Sequence, residues 1–260
     1  MSATFASAQP NARSGSPSLR AGSQQPSLNP FEPRLGAIRS IEILGPAGCL
    51  EAILNEGASE ARFAAVVCHP HPLFGGTLHN KVVYHAMKAL NDPSFGLGLP
   101  VLRFNFRGVG RSQGAHDGEA EVDDVQAAFE WLDRELQRPI VLAGFSFGAA
   151  MALRACCHSE SSDRPAQRDR RVRGLIALGL PTRIESSAYH YSFLHGIRIP
   201  KLFVSGDRDQ FSTPGGLDQV RATAAEPKQL TLIPGADHFF FGHLEPMQRA
   251  IVSWVKEQLQ

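Results

Sequence analysis

Leu142-Ala143-Gly144-Phe145-Ser146-Phe147-Gly148-Ala149-Ala150 is the stretch that decides the reading of this chain. It is a G-x-S-x-G pattern set directly after an apolar run with strand character (residues 140–143) and directly before a helix-forming run (residues 147–157). A serine on so sharp a strand-to-helix turn is held with strained backbone, and bulky side chains two positions away on either side would collide. Gly144 and Gly148 remove those side chains, while Ala149 and Ala150 let a helix pack close to a sheet. Such a turn raises Ser146 Oγ at the carboxyl edge of the sheet and aims the next backbone N–H, that of Phe147, at the same place.

Outward from this turn, strand and helix patterns alternate. Ile38, Ile41, Ile43 and Leu44, then Leu50, Ile53 and Leu54, predict paired strands around a Gly45-Pro46 turn. The near-continuous apolar run at residues 63–68 is that of a strand buried on both faces, and residues 100–106 predict a second buried strand. Further strands are predicted at 172–180, 201–205 and 229–233. Helical periodicity occupies 80–90, 122–136, 215–225 and 245–258. The second of these enters through Glu119, Glu121, Asp123 and Asp124, charges that complement a helix N-terminus. This alternation predicts an α/β fold, a mostly parallel central sheet with helices on both faces, and ligands beyond the carboxyl ends of the strands.

A serine hydroxyl needs a base, and the base needs an orienting carboxylate. Phe203-Val204-Ser205-Gly206-Asp207-Arg208-Asp209 ends a strand with two candidate acids. Ile233-Pro234-Gly235-Ala236-Asp237-His238-Phe239 places a histidine in the loop after the last predicted strand. Its place after that strand singles out His238 among ten histidines. The chain order Ser…Asp…His is the one expected of a nucleophile-elbow hydrolase.

Three separated motifs carry a family resemblance. They are His69-Pro70-His71-Pro72-Leu73-Phe74-Gly75-Gly76-Thr77 with Asn80-Lys81-Val82, then Arg103-Phe104-Asn105-Phe106-Arg107-Gly108-Val109-Gly110-Arg111-Ser112, and the serine turn. Over roughly residues 61–256 the chain resembles the α/β-hydrolase superfamily, in particular its compact bacterial-type branch of predicted hydrolases. The resemblance implies a Ser146, Asp209, His238 triad. It favours Asp209 because the superfamily's acid usually falls three residues after the strand-end glycine; a turn-forming side chain is the other role for Asp207. It also implies two oxyanion donors, the Phe147 N–H and one from the loop after the 65–68 strand. Pro70 and Pro72 have no N–H, so His71, Leu73 or a later residue must donate. His71 aligns best and Leu73 second, although the loop departs from the common His-Gly form. Arg103, Asn105 and Arg107 are expected to order their turn, and His69 to brace its loop.

These expectations describe a serine hydrolase cleaving a carboxylic ester or related acyl bond of a small molecule through an acyl-enzyme. A peptidase or thioesterase would use the same residues, and an acyltransferase would differ only in excluding water. A non-catalytic binding protein on the same fold is the reading from another class. Aspartate-nucleophile chemistry is opposed by serine at the turn. Substrate-binding residues are unknown from the sequence. The span 181–200, with Tyr189, Tyr191, Phe193 and Leu194, is short for a lid and predicts an open acyl site; its aromatics would serve equally as core packing.

The remaining composition bounds the alternatives. Of 260 residues 43% are hydrophobic and 20% charged, a globular balance, and 26 basic residues face 25 acidic ones, for a net charge of +1. That gives no basic excess for counterion-driven nucleic-acid binding. No apolar run approaches the ~20 residues of a spanning helix, so no transmembrane segment is expected. Cys49, Cys68, Cys156 and Cys157 show neither disulfide-scaffold nor zinc-ribbon spacing, which points to a reducing compartment. His69-Pro70-His71 lacks a third ligand at supportive spacing, so neither metal nor cofactor is expected. The first 31 residues contain no Asp or Glu and many Ser, Pro, Gln and Gly. Residues 1–34 are therefore expected to be a disordered tail ahead of a hydrolase domain at 35–260. A cytoplasmic location follows, or an organellar one if this Ser-rich, acid-poor tail is a transit peptide. The Arg-rich stretch 164–173 reads as a solvated loop. Oligomeric state is not legible.

Overall fold

Aliphatic runs bounded by glycine and proline become strands whose successive side chains feed two separate apolar layers. A computed structural model describes residues 36–156, 171–184 and 187–259. The expected tail, Cys157 and most of the Arg-rich stretch lie outside these residues. The strands are β1 (Ile38–Gly45), β2 (Gly48–Asn55), β3 (Ala64–Cys68), β4 (Val101–Phe104), β5 (Ile140–Phe145), β6 (Val172–Leu178), a small ribbon of β7 (Arg183–Ile184) and β8 (Ser187–Ala188), β9 (Lys201–Gly206) and β10 (Lys228–Ile233). The helices are α1 (Lys81–Asn91), α2 (Glu121–Leu136), α3 (Phe147–Ala155), α4 (Pro214–Thr223) and α5 (Leu244–Gln258).

The main sheet runs β1-β2-β4-β3-β5-β6-β9-β10. The β1–β2 and β2–β4 pairs are antiparallel, and the five pairings from β4 to β10 are parallel. Within β3 the strand period of two is visible directly. Ala65 and Val67 join Ala143, Phe145, Leu202 and Val204 against α1 and α5. Ala64, Val66 and Cys68 join Leu142, Leu175 and Phe203 against α2, α3 and α4. Every residue of β3, β4, β5 and β9 is buried, as a sheet covered on both faces requires.

Several boundaries differ from the sequence expectation for local reasons. β4 stops at Phe104 because the ladder is diverted beyond it: Asn105 N–H still donates to Glu51 O of β2, but Glu51 N–H donates to Ser112 Oγ and Phe106 N–H to the ring of His69. β6 stops at Leu178, before Gly179 turns the chain with φ +50°. α1 starts one residue later than its pattern because Asn80 is its cap, its side chain accepting from Val82 and Val83 N–H. Within 181–200, Tyr191 and Leu194 are buried in the α2, α3 and α4 layer, and the Tyr191 hydroxyl donates to Pro181 O at 2.7 Å. Among the described residues no helix is long and apolar enough to cross a membrane. Cys49 and Cys68 are free thiols; burial pushes the Cys68 thiol well up and keeps it protonated.

Strand order reverses direction between β3 and β5, so their carboxyl ends border a crevice. The loop after β3 carries His69 to Thr77, and the turn after β5 carries Ser146. A topological switch point of this kind is where open α/β sheets bind ligands.

Candidate active site

Ser146 stands between β5 and α3 with φ +53° and ψ −120°, a left-handed conformation strained for any residue with a Cβ. The surroundings over-determine it. Ser146 N–H donates to Leu178 O at 2.9 Å, and Ser146 O accepts from Ala149 N–H at 2.9 Å, which opens the helix. A Cβ on Gly144 would collide with the Gly148 backbone, and one on Gly148 with the carbonyl oxygens of His69 and Cys68. These approaches are backbone against backbone, so no rotamer change relieves them. Gly148→Ala should therefore lower stability by about 3 kcal/mol or more, read as a fall in the urea midpoint. An unchanged midpoint would show that the turn can open.

His238 reaches Ser146 from the loop after β10. Its Nε2 lies 3.0 Å from Ser146 Oγ and its Nδ1 lies 2.8 Å from Asp209 Oδ2. All three residues are buried, at 7%, 3% and 3% exposure for Ser146, His238 and Asp209. A carboxylate only accepts, so Nδ1 carries the proton and the Nε2 lone pair faces the serine hydroxyl. Asp209 is fixed by further donors: Ser205 Oγ to Oδ2 at 3.1 Å, and Phe211 and Ser212 N–H to Oδ1 at 2.8 and 3.0 Å. Asp207 sits elsewhere, accepting from Gly235 N–H at 2.8 Å and tying the β9 turn to the β10 turn. Sequence reasoning missed Ser205 and Ser212. The signal was present, since an aspartate whose side chain takes the amides two and three residues on is an Asx-type turn.

The loop after β3 passes across the start of α3. His71 sets its ring 5.0 Å from that of Phe147, 4.9 Å from Phe74 and 4.8 Å from His116. Most of the loop's amides are already used: Leu73 N–H donates to His71 Nδ1 at 3.2 Å, Phe74 and Gly76 N–H to His71 O, and Gly75 N–H to Pro72 O. The N–H groups of His71 and Phe147 find no partner among the described residues. Of the two donor candidates in this loop, His71 is thus free and Leu73 is occupied. Burial, then the neighbouring His116, lowers the basicity of the His71 ring. His116 Nδ1–H donates to Glu121 at 2.6 Å, and this buried carboxylate also takes Asp117 and Gly118 N–H. This pairing is local, closing the five residues that lead into α2, and sequence reasoning left His116 as a core side chain.

Behind the loop, polar side chains hold backbone. His69 Nδ1–H donates to Pro70 O at 2.6 Å while Nε2 accepts from Phe106 N–H at 3.0 Å, which uses both nitrogens and leaves no lone pair for a metal. Asn105 accepts from Leu78 N–H, Arg103 donates to Leu78 O and Asn55, and Arg107 forks onto Asp124 at 2.7–3.1 Å. These three order the turns and do not border Ser146. Burial pushes the His69 pKa down to about 4. Between that value and the ordinary 6.5 the unfolded chain binds more protons, so stability rises with pH across this window. It is fully present above about pH 6.5 and falls away toward pH 4, by on the order of 3 kcal/mol. Urea midpoints at about pH 7 and about pH 4.5 should show a shallower drop for His69→Gln than for wild type; equal drops would remove His69 as the cause.

Comparison with known proteins agrees with this architecture. The model of the family described as "Alpha/beta hydrolase domain" matches residues 75–250. An uncharacterized protein of Rickettsia prowazekii (strain Madrid E) is 36% identical over 216 residues, covering 80% of this chain and 84% of that protein. A solved structure from Xanthomonas campestris, described as a member of a/b serine hydrolase without lid, is 31% identical with a TM-score of 0.70, covering 88% of this chain and 97% of the other. An alpha-beta serine hydrolase homologue from Coxiella burnetii is 34% identical with a TM-score of 0.69, covering 83% and 96%. The family match over most of the chain, on a sheet of this order, makes the protein a member of the α/β-hydrolase domain family.

Proposed function

We propose that the protein is a serine hydrolase that cleaves a carboxylic ester or related acyl bond of a small molecule through an acyl-enzyme. The observation carrying this reading is the unbroken hydrogen-bonded path from Ser146 Oγ through His238 to Asp209. Among the described residues the fold leaves the Phe147 and His71 N–H groups unused, which supports them as the donors to the carbonyl oxygen. Ser146 Oγ attacks the carbonyl carbon as its proton passes to His238 Nε2. The carbonyl oxygen takes the displaced electron pair and is held by the Phe147 and His71 N–H groups. Collapse breaks the bond to the leaving oxygen, which receives the proton from Nε2. Water then repeats the sequence on the acyl-enzyme, releasing the acid and restoring the serine. Asp209 stays a carboxylate throughout, fixing the imidazole tautomer and stabilising its cation.

Burial of Tyr191 and Leu194 in the core supports an open site for small or medium substrates, since those side chains are unavailable to a cap. A fluorophosphonate probe should label wild type and leave Ser146→Ala unlabelled. A panel of ester, thioester and peptidyl-amide substrates should show the ester cleaved fastest. A folded wild type that takes no label would overturn the reading in favour of a binding protein.

A further inference from the structure

The proton donated to the leaving oxygen comes from His238 Nε2, so that oxygen must approach within about 3 Å of the imidazole. Whatever it carries then begins against the rings that surround His238. Three phenylalanines do so: Phe211 at 4.8 Å, Phe145 at 5.0 Å and Phe239 at 5.2 Å between ring centroids. Phe145 lies in the closed interior at 0% exposure. Phe211 is half-buried, and Phe239 remains 54% exposed although its ring meets an imidazole that is itself 3% exposed. One side of Phe239 is thus set against the base and the other against solvent.

Both rings stand on anchored backbone. Phe239 N–H donates to Asp237 Oδ1 at 3.0 Å, and the next residue, Phe240, is fully buried with φ +51°. Phe211 N–H donates to Asp209 Oδ1 at 2.8 Å, and its carbonyl accepts from Thr182 N–H at 2.8 Å. A fixed aromatic surface beside the proton donor is preorganised to receive a flat apolar group, which gains both area burial and ring-to-ring attraction.

Resting on the serine-hydrolase reading, we infer that Phe239 and Phe211 form a leaving-group subsite, and that the protein prefers esters whose alcohol half is an aromatic ring. Two acetates test this: phenyl acetate and hexafluoroisopropyl acetate, whose alcohols are of similar acidity, so that chemistry of departure nearly cancels and recognition remains. After subtraction of spontaneous hydrolysis, wild-type kcat/KM should favour the phenyl ester roughly tenfold. Phe239→Ser should bring the ratio close to one, and Phe239→Tyr should keep it. Phe241→Ser, in the same loop at 78% exposure and with no ring contact to His238, should match wild type. A wild-type ratio near one, or a ratio that survives in both Phe239→Ser and Phe211→Leu, overturns the subsite. If wild type is labelled by fluorophosphonate at Ser146 while that ratio is flat, the subsite alone falls; if wild type takes no label and cleaves neither ester, the hydrolase reading falls with it.

Discussion

Ser146→Ala should lower turnover of an activated ester by roughly 10⁴–10⁶-fold while the urea midpoint stays close to wild type. The size of the effect follows from what the hydroxyl alone supplies. Without Oγ no acyl-enzyme forms, and His238 has no proton to take; what persists is the acceleration from the amide donors and from binding. The fold should survive because the Ser146 backbone, not its hydroxyl, makes the bonds to Leu178 and Ala149. Alanine at φ +53° is no more strained than serine. Steady-state kinetics on a chromogenic ester, with circular dichroism of both proteins, checks the two halves together. Retained esterase activity would remove Ser146 as nucleophile.

The elements that placed this serine were legible because they depend on local patterns. Apolar runs such as residues 64–68 have no other way to be buried than as central strands, and Gly144 and Gly148 mark a backbone approach that tolerates no side chain. Asp209, His238 and Ser146 were legible as candidates through their places at strand ends, since parallel topology brings all carboxyl ends to one edge. The preference for His71 over Leu73 in the loop after β3 was legible only through the family resemblance, and its physical reason was not. It depends on the His71 ring turning back to accept from Leu73 N–H, a rotamer outcome set by packing against Phe147 and His116. The exposure of Phe239 was equally hidden. Phe239, Phe240 and Phe241 are alike in sequence, yet Phe240 is buried while its neighbours are exposed, because φ +51° at Phe240 redirects the chain.

The choice between the two acids after β9 leads to the second large effect. Asp209→Asn should lower kcat by about 10⁴-fold, whereas Asp207→Asn should stay within a few-fold of wild type. The difference is a matter of donors and acceptors, not of charge in general. Asp209 accepts on both oxygens: Phe211 and Ser212 N–H on one, His238 Nδ1–H and Ser205 Oγ–H on the other. An asparagine has one acceptor oxygen. If that oxygen stays with the two backbone amides, the NH₂ group faces His238 Nδ1, which must then give up its proton and place it on Nε2. A protonated Nε2 cannot take the serine proton. If the amide flips to keep His238 in its working tautomer, the NH₂ group faces two backbone N–H donors instead, and three donors share no acceptor. Asp207 has a single demand, the Gly235 N–H at 2.8 Å, which an amide oxygen meets as well as a carboxylate does. The measurement is kcat for both variants alongside fluorophosphonate labelling rates, which should fall in step with kcat for Asp209→Asn. Loss of activity in Asp207→Asn with Asp209→Asn spared would exchange their roles, and with them the account of how His238 is held.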